Sequence, residues 1–317
     1  MTRTGRRCGS ILQGRRATAV GAVFFLSSAL GIMEASAAPT LLLKAGMEEE
    51  AVIPSGNQAY DIFLLRRPSG EQGALAIQYE GGTSMDRFAQ VAADPTKPGN
   101  NVLQYWLKEA LIPGQTPGSL KGRIQMNLAN LNAALVYQRY RMYLPADLDL
   151  YRAYPKSNTW FTINELWAGA PWKGDAWPFR ISLNIVKQTG VGSPLWFAAS
   201  ASVDVDGVWR SVWTGVNETF EVPIGEWFDM EMGYKQGDAN TGRFYLAVKR
   251  ESDAVKTVVL NVTNWTYHPL APQPVPLTHW QPLKLYLSSD IVDYVRNNGG
   301  VTQVYWDDLE IWKEDAQ

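Results

Sequence analysis

The chain has 317 residues, 29 basic against 31 acidic side chains, a formal charge of −2 and one cysteine. That balance supplies no basic stripe for a nucleic acid backbone. The lone thiol, Cys8, excludes an intrachain disulfide framework.

Residues 1–37 read as an export signal. Arg3, Arg6, Arg7, Arg15 and Arg16 form the positive start, "ATAVGAVFFLSSALGIM" the apolar stretch, and Ala35 to Ala37 ("ASA") a small-residue cleavage site. A membrane span needs about 20 apolar residues, whereas this stretch is broken by Ser27, Ser28 and Glu34. Cleavage would remove Cys8, leave residues 38–317 as one domain, and place that domain in the periplasm or outside the cell without a membrane anchor.

From there on, apolar and polar residues alternate in short segments closed by Gly, Asp, Asn or Pro. They run in order "GALAIQYEGG", "GRIQMNLANL", "AALVYQRYRMYLP", "TWFTINELWAG", "FRISLNIVKQTGVG", "LWFAASASVDVDG", "VWRSVWTG", "EWFDMEMGYKQGDANTGRFYLAVKR", "VKTVVLNVTNW", "LKLYLSS" and "TQVYWDDLEIW". Period two is the mark of half-buried strands, and "YKQGDANTGRFY" is the clearest hairpin turn. "NNVLQYWLKEALI" (100–112) fits either a helix or an outer strand, while "SSDIVDYVRNNGG" starts and stops like a helix. "APQPVPLTHW" (271–280) reads as a Pro-rich loop between strands. With no internal repeat and no linker, these segments predict an all-β fold: one two-sheet antiparallel β-jelly-roll sandwich.

Alternation also assigns faces. Ile124, Met126 and Leu128, then Leu283, Leu285 and Leu287, point to the core. Arg123, Gln125 and Asn127, and Lys284, Tyr286 and Ser288, point away from it. Phe161 and Ile163 alternate with Thr162 and Asn164, and in "FRISLNIV" Arg180, Ser182 and Asn184 share one side. Side by side, these strands would make a polar face rich in cations and amides and poor in carboxylates, suited to an extended anionic polymer. The alternative is a plain solvated sheet face. Trp167, Trp172 and Trp177 sit in the loop "NELWAGAPWKGDAWP", where rings stack on sugars or pack inward.

The ordered run "GNNVLQYWLKEALI", "GRIQMNL", "VYQRYRMYLPADLDLY", "WFTINELW", "FRISLNI", "EWFDMEMGYKQGDANTGRFYLAVKR" and "LKLYLSS…VTQVYWDDLEIW" resembles the concanavalin A-like jelly-roll polysaccharide lyases of the alginate, glucuronan and heparin lyase kind. The resemblance implies β-elimination on a uronic acid polymer. In that reaction a cation and an amide neutralise the C5 carboxylate, a base takes the C5 proton, and an acid protonates the leaving O4. It implies Arg123 with Asn164 as neutralising pair and Tyr286 as base, acid or both. Gln125, Glu165, Trp167, Arg180, Asn184 and Lys284 would bind substrate. Two features depart from the family pattern: Lys284 stands where a Gly precedes the tyrosine by two, and Asn164 and Glu165 stand where a His is common.

His268 and His279 flank the Pro-rich loop, and His279, nearer Tyr286 in the chain, is the candidate proton carrier. No transition metal or cofactor is expected. Asp307 and Asp308 are placed either to help hold a structural calcium, as in similar sandwiches, or to act as turn partners. Glu226, Asp229 and Glu231 loosely resemble the carboxylate strand of laminarinase-type glycoside hydrolases, but Glu226 falls on the opposite face, and an ordinary outer strand is the simpler reading. The expectation is a monomeric, exported lyase of an acidic polysaccharide; the rival is a non-catalytic, lectin-like protein using the same face.

Overall fold

The computed structural model describes residues 39–48, 51–54, 60–66, 72–80, 85–109 and 121–316. The export signal read at 1–37 lies outside them. The described residues form seventeen strands: β1 (Thr40–Ala45), β2 (Ala51–Pro54), β3 (Tyr60–Arg66), β4 (Gln72–Glu80), β5 (Arg87–Ala93), β6 (Asn101–Leu107), β7 (Lys121–Tyr143), β8 (Thr162–Ala168), β9 (Phe179–Val186), β10 (Trp196–Val205), β11 (Val208–Glu221), β12 (Trp227–Lys235), β13 (Arg243–Arg250), β14 (Thr257–Thr263), β15 (Leu277–Gln281), β16 (Lys284–Ser288) and β17 (Thr302–Asp315). Every pairing between them is antiparallel.

The segments "GRIQMNLANL" (122–131) and "AALVYQRYRMYLP" (133–145), which the alternation separates, are joined in one strand of 23 residues, Lys121–Tyr143. Asn130 and Asn132 take φ of 57° and 49° in its middle, a left-handed conformation that Asn tolerates better than other side chains carrying a Cβ. There β7 bends and passes from one layer to the other. Its first half pairs with β4 on one side and with β16 and β15 on the other. Its second half pairs with β12 and β17.

The first layer thus runs β2-β3-β4-β7-β16/β15-β8-β9-β10-β11, and the second runs β5-β6-β17-β7-β12-β13-β14, with β1 beside the end of β17. Ile124, Met126, Ile181, Leu183, Leu285 and Leu287 face inward from the first layer. Met142, Met230, Leu246, Val304, Trp306 and Ile311 meet them from the second in one buried cluster. Each such side chain contributes about 1.5–3 kcal/mol by leaving water. The result is a two-sheet β-jelly-roll sandwich. Segment 101–107 is a strand, Ser289–Asn297 is a helix, and residues 236–242 close the β12–β13 hairpin. No helix among the described residues is long and apolar enough to cross a membrane.

Candidate functional site

Register decides which side chains share the outward face of the first layer. Glu80 lies opposite Arg123, Arg123 opposite Tyr286, Tyr286 opposite Thr162, and Thr162 opposite Asn184. One step along, Gln78 pairs with Gln125 and Gln125 with Lys284. On the far side Arg180, Ser182 and Asn184 stand opposite Ser202, Ser200 and Ala198. Four distant parts of the chain are therefore neighbours. Gln78, Glu80 and Ser202 belong to the face although the sequence reading assigns no face to their strands; the alternation that buries Ile77, Tyr79, Ala201 and Val203 is the signal that places them.

Asn164 does not belong to it. β8 carries a bulge between Thr162 and Asn164, so Asn164 pairs with Leu183 and faces the core, while Glu165 pairs with Ser182 and faces outward. The side chain is fully buried, with 0% exposure. Its amide donates to Gln138 Oε1 at 2.8 Å and to the Pro282 carbonyl at 2.9 Å, and its Oδ1 accepts from Trp280 Nε1 at 2.9 Å. All its capacity is used inside the sandwich, so it cannot neutralise a substrate carboxylate. The sequence holds the clue: core positions step from odd at Phe161 and Ile163 to even at Leu166 and Ala168.

The bulge brings Glu165 under the centre of the face, where it pairs with Lys284, lies 3.6 Å from Arg180 and accepts from Ser182 at 3.1 Å. Burial opposes its charge, but Lys284 and Arg180 outweigh burial and hold the carboxyl below the ordinary range. Burial lowers Lys284 despite that partner. Two cations thus share one carboxylate. Arg123 reaches Glu80 at 3.1 Å and lies 5.9 Å from the Tyr286 ring centre, with Lys284 4.9 Å from the same ring. Trp160 packs on Tyr286 at 5.1 Å. The face is richer in carboxylates than its strands suggested, yet each of these two sits against a cation.

Polar atoms on this face are not all used. Gln125 donates to Gln78 at 3.1 Å and to Asn127 at 2.9 Å, while its Oε1, Arg123 Nε, Asp204 Oδ1 and His279 Nε2 are buried without a partner. Such atoms are rare in folded proteins and call for a reason.

His279 lies on the right face but at the wrong height. It pairs with Trp167, whereas Tyr286 pairs with Thr162, five residues back along β8. At about 3.3 Å per residue the two are about 15 Å apart, too far to share one proton transfer. His268 is buried, accepts from Leu270 N at 3.1 Å and packs on Trp177 at 5.1 Å, which makes both structural. Trp167 donates to Gln281 Oε1 at 2.9 Å beneath the exposed Trp172.

Asp229 and Glu231 lie on the outward face of the second layer, paired with Arg141 at 3.8 Å and with Lys256. Asp307 and Asp308 diverge: Asp307 is buried on Asn100 at 3.0 Å, and Asp308, at φ 49°, opens onto the second layer's outer surface. Among the described residues no three His, Cys, Asp or Glu side chains gather as metal ligands.

No family model and no curated protein matches the chain. Among solved structures it is similar to an endo-β-1,4-glucuronan lyase from Trichoderma reesei, at 13% identity and a TM-score of 0.46, over 75% of this chain and 90% of that one. A double mutant of the alginate lyase Aly36B, solved with an alginate tetrasaccharide, aligns at 12% identity and a TM-score of 0.43, over 76% of this chain and 88% of that one. The exolytic alginate lyase AlyA5 from Zobellia galactanivorans aligns at 8% identity and 0.43, over 86% and 96%.

Proposed function

We propose that this protein is exported and cleaves an acidic, uronic acid-containing polysaccharide by β-elimination on the outward face of the first layer. The observation that carries the reading is the cross-strand pair Arg123–Tyr286, with the guanidinium 5.9 Å from the ring and its Nε buried without a partner. A substrate carboxylate satisfies that N–H. Gln125, beside it on the same strand, has its amide hydrogens committed to Gln78 and Asn127, and its free Oε1 accepts from a substrate hydroxyl.

The chemistry follows from the placement. Arg123 neutralises the carboxylate and so lowers the cost of charge building on it as the C5 proton leaves. Tyr286 takes that proton and returns one to O4 as the C4–O4 bond breaks, leaving a C4–C5 double bond. Lys284 adds positive charge beneath the ring, held in place by Glu165. Arg180, Ser182 and Asn184 extend the binding surface.

Incubating the protein with alginate, polyglucuronate, ulvan or glycosaminoglycans tests this by the ultraviolet absorbance of the unsaturated uronate. Its appearance supports elimination. New reducing ends without that chromophore would mark a hydrolase, and binding without either would mark a lectin.

A further inference from the structure

The His279 end of the face holds groups that the elimination chemistry leaves unused. Trp172 stands 55% exposed on the short turn Pro171–Lys173. Gly169, at φ 78°, turns the chain out of β8 into that loop, where the Trp177 carbonyl leaves no room for a Cβ. The Trp172 ring meets Trp167 edge-on at 4.7 Å and stands 5.5 Å from His279. Behind it the Arg180 guanidinium lies 5.8 Å from Trp167 and 4.3 Å from Trp209, and its Nε donates to Ser202 at 2.9 Å, which fixes its orientation. His279 is only 8% exposed, and its Nε2 has no partner while Nδ1 lies 3.0 Å from Thr278 Oγ1.

We propose that Trp172, Arg180 and His279 form a second, non-catalytic subsite that binds an anionic sugar ring of the same polymer, several rings from Tyr286. The inference rests on the reading of this face as a polysaccharide site. Trp172 offers an exposed apolar ring to the C–H face of a pyranose. Arg180 offers a cation to the ring's carboxylate or sulfate: at 3.6 Å from Glu165 it shares that carboxylate with the more tightly paired Lys284. His279 Nε2 offers a hydrogen bond to a hydroxyl. The polymer is thus gripped at two places about 15 Å apart along β8, and long chains bind more tightly than short ones.

Affinity electrophoresis in gels cast with alginate, with polyglucuronate or with a sulfated, uronate-free galactan tests the subsite without requiring turnover. Calorimetric titration with uronate oligosaccharides of increasing length adds the length dependence. Trp172→Ala, at an exposed position, is expected to weaken binding of long polyuronate about tenfold while leaving short oligosaccharides unchanged. His279→Phe, which keeps the ring packing, is expected to cause a smaller loss. Retardation by the sulfated galactan alone, abolished in Trp172→Ala, would keep the subsite and overturn the uronate reading. Wild-type retardation matched by Trp172→Ala overturns the subsite, and a wild-type protein retarded in no anionic gel overturns both.

Discussion

The two outward faces of the sandwich are built on the same strand, β7, yet use charge in opposite ways. On the second layer Arg139 meets Glu310 at 2.6 Å, Arg141 meets Glu251 at 3.1 Å and Lys256 meets Glu231, around an open cavity of about 400 Å³. Most of these cations are well exposed, where an ion pair is worth little. On the first layer the charges are sunk among amides and hydroxyls, Lys284 and Glu165 are buried, and polar atoms without partners collect. A face turned to water cancels its charges at the surface. The first layer's face holds polar capacity in reserve.

Substitutions sharpen that contrast. Tyr286→Phe is expected to have the largest effect, lowering elimination by about 10²–10⁴ while binding persists; full activity in that variant would remove Tyr286 from the mechanism. Glu165→Gln leaves Lys284 buried without its counter-ion and should cost about 3–5 kcal/mol in denaturant titrations. Because the Glu165 carboxyl is held below its ordinary range, the stability it contributes is present at neutral pH. It is lost only as the pH falls through that depressed value, and the Gln variant should lack this acid transition.

Asn164→Ala should cost about 1–3 kcal/mol in stability and leave the KM of the folded protein unchanged, as its core placement requires. A selective rise in KM would return it to the face. Arg141→Ala, on the second layer, should change stability by less than about 1 kcal/mol and turnover not at all. A loss of turnover there would mean that the wrong face has been assigned.

Much of this was legible in the alternation. The inward sets Ile124, Met126 and Leu128, and Leu283, Leu285 and Leu287, are buried as the period-two pattern requires. Arg123, Gln125, Lys284, Tyr286, Arg180 and Asn184 share one face. The failures come from places where strand geometry departs from strict period two. A one-residue bulge in β8 exchanged Asn164 for Glu165, and a bend at Asn130 and Asn132 joined two segments into one strand. His279 was misjudged because closeness in sequence to Tyr286 is not closeness in space: Pro282 and Leu283 separate β15 from β16, and the two side chains stand at different heights along β8. Trp209 and Trp160 gave no sequence signal beyond their type, since their roles depend on which ring or guanidinium packs on them.

Digesting a polyuronate in heavy-oxygen water and weighing the products distinguishes elimination from hydrolysis directly. Elimination breaks the C4–O4 bond without adding solvent, so the account predicts fragments with an unsaturated end and no heavy oxygen incorporated by the cleavage itself. One heavy oxygen incorporated per scission, on one of the two fragments and with no double bond formed, or a polymer left whole, would contradict it.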